Sequence, residues 1–126
     1  MHPPSSNQPL MHYPRNKYGN HKQKYDNIIF DSGKEVGRYM ELKLMENAGY
    51  ISNLLLQQRF ELLPAFRHNG EAHRKIEYIA DFTYTLKDGK KIVEDVKSPI
   101  TRINPVYRIK KKLLLFKYKD FTFLET

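Results

Sequence analysis

Tyr78-Ile79-Ala80-Asp81-Phe82, Lys87-Asp88-Gly89 and Val93-Glu94-Asp95-Val96-Lys97 form the centre of this chain's architecture. The outer segments read as strands and the middle one as the turn joining them. Each strand sets a carboxylate inside an apolar run, which is costly to desolvate without a partner. Two carboxylates on neighbouring strands repel unless a cation lies between them or one keeps a proton. Lys97, two residues after Asp95, points to the same side of its strand. Asp, then Asp-x-Lys, on adjacent strands is an arrangement suited to metal-dependent phosphodiester hydrolysis.

The turn decides which carboxylates meet. A two-residue Asp88-Gly89 turn puts Asp81 opposite Val96, on one face with Glu94. A three-residue Lys87-Asp88-Gly89 turn puts Asp81 opposite Asp95, with Lys97 on that same face. A one-residue slip exchanges the whole face. Gly at the third loop position meets the positive φ of the longer turn, although Asp-Gly also suits a two-residue type I′ turn. We expect the longer loop because it assembles both aspartates and the lysine in one place.

Working outward, Lys75 to Leu86 reads as one long strand, with Ile76, Tyr78, Ala80, Phe82 and Tyr84 facing one layer. Asn53 to Leu63 reads as the strand before it, with Leu54, Leu56, Phe60 and Leu62 on one side and Pro64 ending it. His68-Asn69-Gly70-Glu71 is a turn. Ser32-Gly33-Lys34-Glu35 matches a capping box and opens a helix carrying Val36, Tyr39, Met40, Leu44 and Met45, closed at Gly49. Asn104-Pro105 is an N-cap followed by Pro at the first helical position. That helix is expected to bury Val106, Ile109, Leu113 and Phe116. Phe121 to Leu124 is a closing strand. The expected fold class is α/β, with the order α-β-β-β-α-β and a mixed central sheet flanked by helices. Residues 1–25 read as a flexible basic arm and 26–126 as the domain.

Charge is unevenly spread: 22 Lys+Arg stand against 14 Asp+Glu. Residues 1–24 hold four bases and no acid, and Lys97 to Lys119 holds eight bases and no acid. The centre, 25–96, holds ten bases and twelve acids. Basic flanks around an acidic centre suit a protein that holds a polyanion and brings a metal to it. There is no cysteine, so disulfides and thiolate metal sites are excluded. The longest apolar run, Leu113 to Phe116, is far too short to span a membrane. A soluble cytoplasmic protein is expected.

Mg²⁺ takes oxygen ligands, usually one or two carboxylates, waters and substrate phosphate. Asp81 and Asp95 supply such oxygens, the Val96 carbonyl is a further candidate, and Mn²⁺ is an alternative ion. Lys97 is suited to orienting water or stabilising developing charge. Glu35 has two readings, as the acid of a capping box and as a third carboxylate. Glu94 points away from Asp95 and is a reserve ligand. Gln57 is an edge residue, or an accessory at the metal or phosphate. Arg102, Arg108, Lys110, Lys111 and Lys112 read either as the solvated face of a helix or as a nucleic-acid contact.

These residues resemble the PD-(D/E)XK nuclease superfamily, with its restriction-endonuclease-like core. Ala80-Asp81 stands where the motif has Pro-Asp, and Asp95-Val96-Lys97 stands for (D/E)XK. Lys17-Tyr18-Gly19-Asn20, Phe30-Asp31-Ser32, Glu35, Tyr39, Glu41-Leu42 and Leu56-Gln57 add a similarity to a family of small phage and prophage proteins placed with that superfamily. Ser32 to Glu35 also resembles the corresponding part of the TnsA transposon endonuclease, which favours Glu35 as a ligand. The resemblance implies a Mg²⁺-dependent DNA endonuclease of phage recombination, replication or packaging. It further implies branched DNA, such as a Holliday junction, as substrate, and hence a homodimer in the host cytoplasm. The competing expectations are an inactive binding module of the same fold and a duplex-cutting restriction or transposon-type nuclease. Charge alone also admits an RNA-binding protein.

Overall fold

The computed structural model describes residues 22–126. Most of the expected arm, residues 1–21, lies outside that range. Its end does not, because Gln23–Tyr25 forms β1 and pairs antiparallel with β2, Ile28–Phe30. The two-residue turn between them, Asp26-Asn27, has positive φ at both positions, as a type I′ hairpin requires. Tyr25 meets Tyr39 edge to face, which ties the hairpin to the core.

After this hairpin come α1 (Gly33–Asn47), β3 (Ile51–Leu63), a short ribbon of β4 (Phe66–His68) and β5 (Glu71–His73), β6 (Ile76–Leu86) and β7 (Lys91–Asp95). Then follow a single turn α2 (Pro99–Arg102), α3 (Pro105–Lys117) and β8 (Thr122–Glu125). With the two small hairpins and α2 set aside, the order is helix, three strands, helix, strand, as expected. The sheet runs β3-β6-β7-β8, antiparallel except for the parallel pair β7–β8. The fold is mixed α/β, a mixed central sheet flanked by helices.

The turn between β6 and β7 is the longer one. Phe82 pairs with Glu94 and Tyr84 with Ile92, and the Gly89 N–H donates to the Leu86 carbonyl. Gly89 has φ of +95°, which an L side chain rarely adopts. That register carries Asp81 to the level of Asp95.

Two cores lie on opposite sides of the sheet. Phe30, Tyr39, Leu42, Ile51, Phe82, Tyr84 and Ile92 form one against α1; Tyr78, Ala80, Val93 and Leu114 form the other against α3. The expectation that Tyr78, Ala80, Phe82 and Tyr84 share one face therefore fails. Strict alternation would keep them together, so β6 changes face between Ala80 and Phe82. β3 does the same: Leu54 and Leu56 join the α1 core, while Phe60 and Leu62 join the α3 core. The crossover in β3 falls at Gln57, whose φ is +55°, between the rungs Leu56–Phe82 and Gln58–Ala80. Asp81 thus stands where both strands turn over.

Two expected helical faces also differ. In α1 the buried residues are Glu35, Tyr39 and Leu42, whereas Met40 and Leu44 are exposed. In α3 the buried residue is Leu114, flanked by half-buried Tyr107; Val106, Ile109, Leu113 and Phe116 face outward. The helix carries two apolar stripes, and the one containing Tyr107 and Leu114 meets the sheet.

Candidate active site

At the end of the β6–β7 ladder the aspartates take over the backbone pairing. The Asp81 N–H donates to Asp95 Oδ1 at 2.8 Å, and the Val96 N–H donates to Asp81 Oδ2 at 2.8 Å. Each carboxylate thereby closes the strand opposite its own. Both are buried, Asp95 completely. Lys97 follows the last residue of β7 by two, and its Nζ stands 4.0 Å from Asp81 Oδ2 and 3.9 Å from Asp95 Oδ1. The ammonium also lies 5.2 Å from the centroid of the Tyr107 ring, a cation–π distance.

Glu35 makes a variant of the capping contact at the start of α1. Ser32 Oγ accepts from the Glu35 N–H at 3.2 Å, as an N-cap does. The Glu35 side chain accepts from the Asp31 N–H at 3.1 Å, one residue before the donor of a standard capping box. Its carboxyl also reaches Asp81. Burial, then the hydrogen bond with Asp81 and the charge of that carboxylate, push the Glu35 pKa up to about 9. A carboxyl raised that far keeps its proton at neutral pH. Burial likewise raises the Asp95 pKa, opposed by the charge of Lys97 and the bond from Asp81.

Among the described residues, no three His, Cys, Asp or Glu side chains are grouped so as to hold a metal ion. The aspartates spend one oxygen each on backbone N–H groups, and Glu35 holds a proton. One observation bears on the fit of a cation: Asp95 Oδ2 is buried without any hydrogen-bond partner. Such an orphan costs about 1–3 kcal/mol. A hard divalent cation suits a carboxylate oxygen of this kind, and the donor set of carboxylates with the Val96 carbonyl is all oxygen.

Glu94, the reserve ligand, is excluded from the site by its own partners. It lies fully buried on the α1 side of the sheet. Arg38 Nε and Nη2 donate to it at 2.6 and 3.1 Å, Tyr84 Oη at 2.6 Å and Thr126 Oγ1 at 3.1 Å. Both oxygens are occupied, and the bond from Glu94 holds the Arg38 pKa above its usual value. Gln57 is exposed at the crossover of β3, while its neighbour Gln58 accepts from Thr83 Oγ1 at 2.6 Å.

Two residues of the site carried no sequence signal. Glu125 pairs with Asp95 across the parallel β7–β8 ladder. Tyr107 Oη donates to Glu125 Oε2, Lys111 Nζ stands 3.3 Å from that oxygen, and Arg102 Nε lies 3.7 Å from Oε1. Burial works against the charge of Glu125, but the bonds from Tyr107 and Lys111 outweigh it and hold the pKa low. Arg102, Tyr107, Arg108, Lys111, Lys112 and Glu125 line one open groove of about 260 Å³. Four of the five basic residues singled out in the sequence therefore meet there, and Lys110 does not line it. The only clue to Glu125 was its place at the end of the closing strand. It becomes informative once that strand is known to run parallel to β7.

The sequence profile of a family described as "Protein of unknown function (DUF1064)" matches residues 15–124. The chain belongs to that family. No curated protein and no solved structure matches it. The family match covers β3, β6 and β7, three of the four residues of β8, and both aspartates with Lys97, and it stops one residue before Glu125.

Proposed function

We propose that the chain is a Mg²⁺-dependent DNA endonuclease that hydrolyses phosphodiester bonds at the Asp81–Asp95–Lys97 cluster. One observation carries this reading. The Lys97 ammonium stands within 4.0 Å of two buried aspartates on adjacent strands. A structural ion pair needs one acid, whereas two buried acids converge on this one lysine. The similarity of Asp81 and Asp95-Val96-Lys97 to the PD-(D/E)XK motif supports the same conclusion.

Asp81 and Asp95 would hold the cation, with the Val96 carbonyl and Glu35, once it gives up its proton, as further ligands. A divalent ion there supplies charge neutralisation at the phosphate and acidifies water. Lys97 donates hydrogen bonds to the attacking water or to the non-bridging oxygens as the P–O bond breaks. Arg102, Arg108, Lys111 and Lys112 hold flanking phosphates, each contributing to a salt-dependent affinity. The similarity to small phage proteins points to branched DNA, with paired incisions by a homodimer in the host cytoplasm. No helix among the described residues is long and apolar enough to cross a membrane.

A second reading, an inactive nucleic-acid-binding module, draws on the backbone bonds that already occupy one oxygen of each aspartate. Labelled four-way junction, flap, single-stranded and linear duplex DNA, incubated with Mg²⁺, Mn²⁺ or EDTA, separate the two. Metal-dependent symmetric incision of the junction, lost in Lys97→Ala, establishes the enzyme and its substrate. Incision of all substrates alike keeps the nuclease and removes the junction. Binding without cleavage under either metal establishes the module.

A further inference from the structure

The outward face of α3 has no partner among the described residues. Val106, Ile109, Leu113 and Phe116 lie 61, 60, 42 and 75% exposed along it. Ile100 of α2 and its cap Ile103 are exposed as well. At about 100° per residue the four α3 side chains span an arc of roughly 80°. Their spacing of three, four and three residues is that of heptad positions a, d, a and d. A contiguous row of this kind marks an interaction site rather than scattered surface residues.

Charge selects the occupant. In the same heptad Lys110 and Lys117 take the two e positions and Lys112 the g position between them. Lys119 Nζ lies 5.0 Å from the centroid of the Phe116 ring, a further cation beside the row. A second copy of α3 on this seam would set lysine against lysine in either orientation, since e meets g in a parallel pair and like positions meet in an antiparallel one. Residues 1–24 carry four bases and no acid, so the chain's own N-terminal segment is equally ill-matched. A lipid-lying helix inserts a large apolar face, whereas this stripe spans only roughly 80°.

We propose that the outer face of α3 is the docking site for an acidic amphipathic helix of another protein, with an apolar a/d seam and Glu or Asp at its e and g positions. Its apolar residues would fill the row of Val106, Ile109, Leu113 and Phe116. Its acids would meet Lys110 and Lys117 on the e edge, while Lys112 at the g edge stays with the groove that holds phosphates. The site faces away from the sheet and does not depend on cleavage by Asp81 and Asp95.

Fluorescence anisotropy of a labelled helix-forming peptide, titrated with the full chain, tests the proposal. The probe carries Ile and Leu at a and d and Glu at e and g. Saturable binding is expected, weakened on the order of tenfold or more in Ile109→Ser/Phe116→Ser. A probe with Lys at e and g, and one with Ser at a and d, should each bind at least about tenfold more weakly. Circular dichroism melting of the double variant checks that its fold is intact. Three results overturn the proposal. The first is no binding of the acidic probe, or equal binding by the variant. The second is sedimentation of the chain alone as a dimer that the variant abolishes, which assigns the face to a second copy. The third is binding to phosphatidylglycerol vesicles that the variant abolishes, which assigns it to a lipid surface.

Discussion

Replacing Glu35 with glutamine is expected to stabilise the cation-free protein while abolishing cleavage. In the native fold the Glu35 pKa stands near 9, against 4.5 for an ordinary glutamate, because of burial first and Asp81 second. The folded chain keeps a proton that the unfolded chain releases. Between those two values the unfolded state is favoured by about 1.4 kcal/mol for each pH unit. The sign is thus that of a raised pKa: the contribution is complete below the unfolded value and is lost as pH climbs toward the folded one. From about pH 5 to about pH 8 the ceiling on the loss is about 4 kcal/mol for this single group. Glutamine has no proton to lose, its Oε1 can accept from the Asp31 N–H, and its amide N–H can donate to Asp81. Urea unfolding of wild type and variant in EDTA, across that pH range, measures the effect. The wild type should lose stability faster with pH, and the gap between the curves should widen in favour of the variant. Parallel curves would refute the reasoning, since Glu35 would then be ionised in the fold. Added Mg²⁺ should reverse the order, stabilising the wild type at high pH and leaving the variant unmoved.

Glu94→Ala should destabilise the fold by about 3 kcal/mol, because it strips Arg38 of its buried partner; a denaturation midpoint within error of wild type would show that water already screens the pair. Glu125→Gln should free Arg102 and Lys111, tightening DNA binding and steepening its salt dependence by about one phosphate contact or more. An unchanged slope in a filter-binding series would take those two side chains out of the phosphate track. Gly89→Ala should cost about 1 kcal/mol in thermal unfolding through its positive φ, and no loss would mean that the turn rearranges freely. Asp81→Asn should remove cleavage and leave junction affinity equal or higher in a mobility-shift assay. Wild-type turnover in that variant would move the catalytic centre elsewhere.

How far the fold could be read in advance depended on whether a local rule had one outcome. Lys87-Asp88-Gly89 had two outcomes, since Asp-Gly suits a two-residue turn as well, and only the grouping of Asp81, Asp95 and Lys97 favoured the longer loop that the structure has, with Gly89 at φ of +95°. Ser32 and Asn104 each receive the N–H of the residue three positions on, so both helix starts were legible from capping chemistry alone. The sheet faces were not. Alternation assumes an unbroken pleat, and Gln57 with φ of +55° breaks it in β3 while β6 turns over beside it. No propensity marks a glutamine for that conformation, because it is imposed by the sheet and not by the residue.

The same contrast explains why half of the site was visible and half was not. Asp81, Asp95 and Lys97 sit within one hairpin, where a local register brings them together. Tyr107 and Glu125 reach Asp95 only through the parallel return of β8, a contact between segments far apart in the chain. In α3 the pattern was worse than silent. Val106, Ile109, Leu113 and Phe116 form as good a core stripe as Tyr107 and Leu114, and what separates the two is a tyrosine hydroxyl with a carboxylate to meet on the sheet side. Tyr107 bonded to Glu125 turns that face inward and leaves the other apolar face outside. The unpaired stripe and the Glu125 cradle are therefore two consequences of one helix orientation. Rotating α3 to bury the outer stripe would orphan Glu125 and withdraw Arg102 and Lys111 from the groove beside Asp95.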